Sequence, residues 1–146
     1  MSFTVYLSGE IHSTWREEIQ QGVQALGLDI SFTSPVTDHD ASDAAGDHLA
    51  AQENSFWRDH QSAKVNAIRT KTLIENSDLV VVRFGDKYKQ WNAAFDAGYC
   101  AALGKPYITL HAEDIIHPLK EVDAAAMAWT TTPAQVVEIL RYTTQA

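Results

Sequence analysis

The chain has 146 residues, the length of one ordinary domain, so we expect a single domain over residues 1–146. Hydrophobic residues make up 45% and charged residues 21%, a composition that excludes a disordered or collagen-like chain. Lys and Arg total 11 against 19 Asp and Glu, a formal net charge of -8, which argues against a nucleic-acid polymer as partner because cationic side chains supply most of that affinity.

The amino-terminal part of the chain predicts a strand, a helix and a second strand. Residues 3–7 are β-branched or aromatic and lead into Ser8-Gly9, as a buried strand before a turn does. Apolar side chains then recur at helical spacing over residues 15–26, with Ser13 or Thr14 as the expected cap and Gly27 as the stop. Residues 28–32 predict the second strand.

An acidic segment follows between Ser34 and His60, with a short helix possible over residues 47–54. We expect either a solvated flap or a loop that covers a ligand, because long segments without periodicity often serve as lids or binding loops. His39, His48 and the nearby aspartates lack a recognised metal-ligand spacing, so we expect no metal there. Against the single base Arg58, the segment contains six acids: Asp38, Asp40, Asp43, Asp47, Glu53 and Asp59.

The rest of the chain alternates helices with strands. Residues 78–82 are apolar on both faces, as in a central parallel strand, and Thr132-Pro133 predicts the start of the last helix. Further helices are predicted over 56–76, 92–103, 114–126 and 133–142, and further strands over 106–110 and 128–130. The alternation predicts a three-layer α/β fold: a doubly wound, five-stranded parallel sheet of flavodoxin-like or Rossmann-like type, with a ligand crevice at the carboxyl ends of the strands.

The loop after the first strand carries candidate binding residues at that edge of the sheet. Ser8, His12 and Ser13 are suited to bond sugar hydroxyls. Gly9 and Glu10 are further candidate substrate contacts in this loop, and the charge of Glu10 opposes an anionic ligand. One glycine is too few for a dinucleotide fingerprint or a P-loop, and a plain strand-to-helix turn is the alternative.

The loop after the third strand is richer in ligand-binding side chains. Tyr88 and Trp91 suit stacking on a planar ligand such as a base, and Asp86, Gln90 and Asn92 suit hydrogen bonds to its edge. The alternative is an exposed turn whose aromatic rings pack on their neighbours.

A single carboxylate stands out in the helix that follows. Asp96 lies near the start of a helix of small and apolar residues, where a carboxylate is either a partner of the helix dipole or a chemical group. After the fourth strand, His111 and His117 are expected to be surface histidines rather than ligands of the crevice.

Asp96 also begins the pattern carboxylate-x-Gly-Tyr-x-x-Ala-x-Gly-Lys-Pro, which ends at Pro106 and follows the strand over 78–82. Together with the opening run over residues 5–9, this pattern resembles the nucleoside 2-deoxyribosyltransferase superfamily. The runs over 6–12, 83–88 and 90–99 resemble the YtoQ family of that superfamily, and the resemblance covers essentially the whole chain.

The resemblance implies specific roles for two residues. Asp96 takes the place of a nucleophile that attacks the anomeric carbon of a nucleoside and forms a glycosyl-enzyme, and Tyr6 takes the place of a tyrosine that orients it. It also implies a homo-oligomer and chemistry that needs no cofactor or metal. The family has glutamate at the Asp96 position, an acid at Thr70, and, in its phosphate-binding members, serine at Glu10, so a phosphorylated ligand is disfavoured.

We therefore predict chemistry on the N-glycosidic bond of a (deoxy)nucleoside, by base transfer or hydrolysis through Asp96. The alternative is a non-catalytic module that binds a nucleoside or nucleotide-sugar in the same crevice. A lone Cys100, the lack of a basic signal-peptide region after Met1, and the lack of roughly 20 consecutive apolar residues predict a cytoplasmic protein without membrane contact.

Overall fold

The computed structural model describes residues 2–49, 54–87 and 89–145. These ranges contain the strands β1 (Phe3–Gly9), β2 (Ile30–Thr33), β3 (Leu79–Arg83), β4 (Tyr107–Leu110) and β5 (Ala128–Thr130). Their α-helices are α1 (Trp15–Ala25), α2 (His39–Asp43), α3 (Ser55–Glu75), α4 (Trp91–Leu103), α5 (Lys120–Ala125) and α6 (Pro133–Thr144). No helix in these ranges combines the length and the apolar character needed to cross a membrane.

The sheet has the predicted doubly wound, all-parallel arrangement. Its strands pair in the order β2-β1-β3-β4-β5, which confirms the predicted fold class. The direction of winding reverses between β1 and β3, which are neighbours with Tyr6 opposite Val80 and Ser8 opposite Val82. Ligands of such sheets bind outside the carboxyl ends of the strands at this point, so the ends of β1 and β3 mark the expected crevice.

Helices cover both faces of the sheet. Val5 and Leu7 of β1 face an apolar cluster that includes side chains of α1 and α6. Tyr6 and Val80 face a second cluster that includes Ile74 of α3 and small residues of α4. Because side chains alternate along a strand, Tyr6 and Ser8 project on the same side of β1, toward α4.

The helix predicted over residues 114–126 is wrong as one continuous element. A 3-10 turn over Glu113–Ile115 and the short helix α5 take its place. Pro118 lies between the two, and a proline disrupts a helix interior because it has no N–H to donate and its ring disfavours helical geometry in the residue before it.

The acidic segment differs from a continuous loop. It contains α2, whose start is capped by the Asp38 carboxylate accepting a 3.1 Å hydrogen bond from the Ala41 N–H, and α3 begins near its end at Ser55. The helix predicted over 47–54 does not form over residues 47–49, which are turn and bend, and residues 50–53 lie outside the described ranges.

Candidate active site

A cleft of about 720 Å³ opens at the carboxyl end of β1. Its walls are the loop after β1, the segment after β2, and the sides of α3 and α4 that face each other. This is the crevice that the strand order predicts. Its lining includes Tyr6, Gly9, His12, Asp43, Asp59, Arg69, Thr70, Gln90, Asn92, Phe95 and Asp96.

Asp96 is held in the cleft wall by a hydrogen bond from the sheet. The Ser8 hydroxyl, which is fully buried at the end of β1, donates to Asp96 Oδ2 at 2.7 Å. Ala93, one helical turn before Asp96, and Ala97, the next residue, are buried against the sheet, so α4 lies close enough to β1 for Asp96 to reach Ser8. Burial raises the pKa of Asp96 above its ordinary value, and the bond from Ser8 partly lowers it. No hydrogen bond from the described residues is seen at the other carboxylate oxygen, Oδ1, and Asp96 lines the cleft.

Tyr6 lines the same cleft but makes no hydrogen bond to Asp96. Its side chain is 0% exposed, and its hydroxyl has no hydrogen-bond partner of acceptable geometry among the described residues. Burial raises the pKa of Tyr6 to about 12; the Thr70 side chain, which is close to the hydroxyl but outside hydrogen-bond geometry, lowers this pKa, and the charge of Asp96 raises it further. The contact that the family resemblance gives to Tyr6 is made here by Ser8.

Glu10 organises the loop after β1 instead of facing the cleft. Its buried carboxylate accepts hydrogen bonds from the His12 N–H and, at 2.6 Å, from the Ser13 hydroxyl. Thr14 precedes α1 without a capping bond, so neither residue expected to cap α1 does so with its side chain. Gly9 and His12 line the cleft, whereas Glu10 does not, and its negative charge is satisfied within the loop.

Arg16 is a buried cation that the sequence analysis missed. Its guanidinium donates to the backbone carbonyls of Leu7, Gly9 and Glu10 over 2.6 to 3.1 Å, and it stacks on the Trp15 ring at 4.4 Å. Burial lowers the pKa of Arg16 to about 10. These bonds fix the loop that begins at the end of β1, next to Ser8.

Gly9 makes the close approach of this loop to β3 possible. Its φ of +108° lies in the region that favours glycine, and a Cβ at this position would lie 2.1 Å from the carbonyl oxygen of Arg83. The sequence signal for this requirement is the single glycine at the end of a strand.

The loop after β3 contributes only part of its predicted residues to the cleft. Gln90 and Asn92 line it, whereas Asp86 is exposed outside the lining and Trp91 is 72% exposed with Lys89 over its ring. Tyr88 lies outside the described residues. Phe95, which the sequence analysis did not select, lines the cleft with 68% of its surface exposed.

One face of α3 forms the opposite wall. Cleft-lining residues recur along it at helical spacing, and two cations, Arg69 and Lys71, join them near its carboxyl end. The Arg69 guanidinium is anchored by a 2.7 Å hydrogen bond to the Ser34 carbonyl. The sequence signal for this wall is a series of polar residues spaced three or four apart along residues 56–76. The series consists of Asp59, Ser62, Asn66 and Thr70.

The acidic segment gives the cleft less negative charge than its composition indicates. Asp47 forms an ion pair of 2.7 Å with Arg58, and Asp38 caps α2. Asp43 and Asp59 line the cleft, but so do the two cations of α3. Within the described ranges, no three His, Cys, Asp or Glu side chains come together as a metal site.

His111 is buried away from the cleft, contrary to the expected surface position. Its Nε2 lies 2.8 Å from Asp123 Oδ2, its Nδ1 lies 2.8 Å from the Ala112 carbonyl oxygen, and its ring stacks on Trp129. His117 is exposed and does not line the cleft.

Comparisons with known proteins identify relatives of this chain. The family described as Nucleoside 2-deoxyribosyltransferase YtoQ matches residues 6–144. The uncharacterized protein YtoQ of Bacillus subtilis (strain 168) is 43% identical over 143 residues, which cover 97% of each chain.

Two solved structures share the fold. A conserved protein from Enterococcus faecalis superposes with a TM-score of 0.68 at 13% identity, over 98% of this chain and 99% of that one. The 2-deoxyribosyltransferase of the psychrotolerant bacterium Bacillus psychrosaccharolyticus superposes with a TM-score of 0.55 at 16% identity, over 92% of this chain and 90% of that one.

The family match over residues 6–144 shows that this protein, with its parallel sheet and carboxyl-edge cleft, is of the nucleoside 2-deoxyribosyltransferase-like class. Within that class, the chain belongs to the YtoQ family.

Proposed function

We propose that the protein binds a nucleoside in this cleft and cleaves its N-glycosidic bond through Asp96. The observation that carries the proposal is the partly buried Asp96 carboxylate in the cleft wall, with Oδ2 held by the hydroxyl of Ser8. A carboxylate that is positioned and poorly hydrated is a suitable nucleophile for glycosyl transfer. The family and the deoxyribosyltransferase with the same fold support nucleoside chemistry.

The reaction takes place in two displacements at the anomeric carbon. Asp96 Oδ1 attacks this carbon and forms an ester bond, while the bond to the base nitrogen breaks and its electron pair leaves with the base, which takes up a proton. A second base or a water molecule then attacks the same carbon, loses a proton, and releases the Asp96 carboxylate. Both steps pass through an oxocarbenium-like transition state, and the configuration of the sugar is retained overall.

The cleft supplies the other groups that this reaction needs. Asp43 and Asp59 are its further carboxyl groups among the described residues, and we assign the proton for the departing base to one of them. His12, Gln90 and Asn92 offer hydrogen bonds to the sugar and the base edge. The neighbouring ring of Phe95 presents an exposed face on which a base can stack. Together these residues offer contacts to the sugar and to the base, which is the leaving group.

The test is to incubate the protein with a panel of 2'-deoxynucleosides and ribonucleosides, with and without a free acceptor base, and to measure base release and exchange by chromatography. We expect turnover in the natural protein, turnover in Asp114→Asn, whose exposed side chain does not line the cleft, and none above background in Asp96→Asn. Exchange that requires the acceptor base indicates transfer, and release without it indicates hydrolysis. Turnover that survives in Asp96→Asn contradicts the proposal.

A second candidate function is binding without turnover. The observation that favours it is Thr70 in the cleft, where the family resemblance places an acid. Calorimetry with the same panel separates the two functions, because saturable binding without base release supports the binding module and contradicts the enzyme.

A further inference from the structure

We propose that Ser8 is the residue that orients Asp96, and that Tyr6 instead donates its hydroxyl to a sugar hydroxyl of the bound nucleoside. The inference rests on the proposed function for the identity of the ligand, but its first half concerns two side chains of this chain alone. It gives the hydroxyls of Ser8 and Tyr6 separate tasks, the first toward the nucleophile and the second toward the substrate.

The first half rests on the anchoring of Ser8. Its hydroxyl is fully buried and donates to Asp96 Oδ2 at 2.7 Å. Its backbone is held on one side by pairing with Val82 of β3, and on the other by the loop whose carbonyls Arg16 binds. A donor fixed in this way holds Asp96 Oδ2 and so fixes the direction in which Oδ1 can attack the anomeric carbon.

The shorter side chain of Asp96 gives this contact a physical reason. Aspartate has a single side-chain methylene, so its carboxylate lies close to its own helix. Ser8 is two residues along β1 from Tyr6 and projects on the same side of the sheet. Nearer to the end of the strand, it meets the carboxylate that Tyr6 does not reach with a hydrogen bond.

The second half rests on the unpartnered hydroxyl of Tyr6. The side chain is 0% exposed and lines the cleft, yet its hydroxyl has no hydrogen-bond partner of acceptable geometry in the described part of the chain. A buried donor without a partner is costly, and a site that binds a ligand is a recognised reason to retain one. Burial raises the pKa of Tyr6 to about 12, so the phenol keeps its proton at neutral pH and can donate it in a hydrogen bond.

The position of Tyr6 beside Asp96 favours the sugar as its acceptor. The two side chains are close enough to influence each other's charge, so a ligand group at Tyr6 lies near the anomeric carbon that Asp96 attacks. The ring oxygen is a poor acceptor there, because it gains positive charge in the oxocarbenium-like transition state. A sugar hydroxyl keeps its acceptor capacity, and the nearby Arg69 adds a positive charge that favours an oxygen at this place.

The first half is tested without any ligand. The carboxyl carbon of Asp96 is followed by NMR during a pH titration of the natural protein, Ser8→Ala and Tyr6→Phe. We expect the Asp96 pKa to rise in Ser8→Ala, because the bond from Ser8 lowers it, and to stay within a few tenths of a unit in Tyr6→Phe. An Asp96 titration that moves in Tyr6→Phe and not in Ser8→Ala overturns this half.

The second half is tested with nucleosides that lack the 2', 3' or 5' hydroxyl. We expect Tyr6→Phe to weaken binding of the complete nucleoside about 10-fold, the effect of one hydrogen bond, and to leave unchanged the affinity for the one analogue that lacks the acceptor. The Tm of Tyr6→Phe should stay close to that of the natural protein, because the hydroxyl makes no hydrogen bond of acceptable geometry within the described part of the chain. An equal penalty for every analogue, or a lowered Tm, overturns this half.

The two failures are distinguishable. If no nucleoside binds the natural protein, the proposed function fails and with it the role of Tyr6, whereas the titration still decides the role of Ser8. In turnover assays, Ser8→Ala should lower kcat with KM nearly unchanged, and Tyr6→Phe should act mainly on KM. The opposite division overturns the assignment.

Discussion

Ser8 on β1 and Asp96 on α4 are joined by a 2.7 Å hydrogen bond across 88 positions of the chain. The bond connects the buried carboxyl end of β1 to the helix that follows β3, and it holds a carboxylate in the wall of the cleft. The same carboxylate is desolvated there, which makes it suitable for chemistry and costly for the fold. The first prediction follows from that conflict.

Asp96→Asn should remove activity without loss of stability. Burial raises the pKa of Asp96 in the folded protein, so the folded state binds this proton more tightly than the unfolded chain does. The contribution of Asp96 to the free energy of unfolding therefore falls as pH rises from 3.8 through the raised pKa. At neutral pH we expect the Tm of Asp96→Asn to equal or exceed that of the natural protein, with the difference vanishing below pH 3.8.

Thermal unfolding monitored by circular dichroism between pH 3 and pH 8 measures this difference. Asp114→Asn, an exposed carboxyl, is the matched control and should follow the natural protein. A Tm that drops by several degrees at neutral pH in Asp96→Asn would show that the carboxylate stabilises the fold.

Asp123→Ala should destabilise the fold by about 3 kcal/mol. Asp123 accepts hydrogen bonds from Thr109 Oγ1 at 2.6 Å and from His111 Nε2 at 2.8 Å, so its loss leaves two buried donors without a partner. Urea unfolding of this variant is compared with that of Glu121→Ala, an exposed acid on the same helix, which should change stability by less than about 0.5 kcal/mol. Equal stability of the two variants would contradict the buried network.

Arg16→Met should destabilise the fold by about 3 kcal/mol, because the carbonyls of Leu7, Gly9 and Glu10 lose their donor in a buried position. The control is Arg141→Met, which breaks an exposed ion pair of 3.0 Å with Glu138 and should cost less than about 1 kcal/mol. Chemical denaturation measures both. If Arg16→Met is as stable as Arg141→Met, the guanidinium does not hold the loop.

Gly98 inside α4 and Gly104, the residue that follows its last turn, should respond to alanine in opposite directions. Neither position has a neighbour within 4 Å of the added methyl group, so only the backbone differs. Gly98 lies inside the helix, where alanine should raise the free energy of unfolding by about 0.5–1 kcal/mol. Gly104 ends the helix with a φ of +69°, where alanine should lower it by about 1 kcal/mol. Denaturation midpoints that move in the same direction would contradict this.

The fold was predictable because its signals are local. Each strand is a short apolar run and each long helix repeats its apolar residues at a regular interval, so the alternation alone predicts a parallel sheet. The single helix predicted over residues 114–126 is wrong because Pro118 interrupts it.

The candidate site was only partly predictable because its contacts are tertiary. Tyr6, Gly9, His12, Gln90, Asn92 and Asp96 are brought together in one cleft. The bond from Ser8 to Asp96 and the three carbonyls around Arg16 depend on how β1 meets α4 and α1, which no local pattern encodes. The sequence around Glu10 does not show whether its carboxylate faces a ligand or binds donors of its own loop. The structure shows the second arrangement, with the His12 N–H and the Ser13 hydroxyl as the donors.

The central claim is that Asp96 becomes bonded to the sugar of the substrate. The most direct measurement is mass spectrometry of the natural protein and of Asp96→Asn, each quenched in acid during incubation with a nucleoside that is turned over, followed by mapping of the modified peptide. The account predicts one added glycosyl group on Asp96 in the natural protein and none in the variant. Turnover with no adduct, or an adduct on another residue that persists in Asp96→Asn, would contradict it.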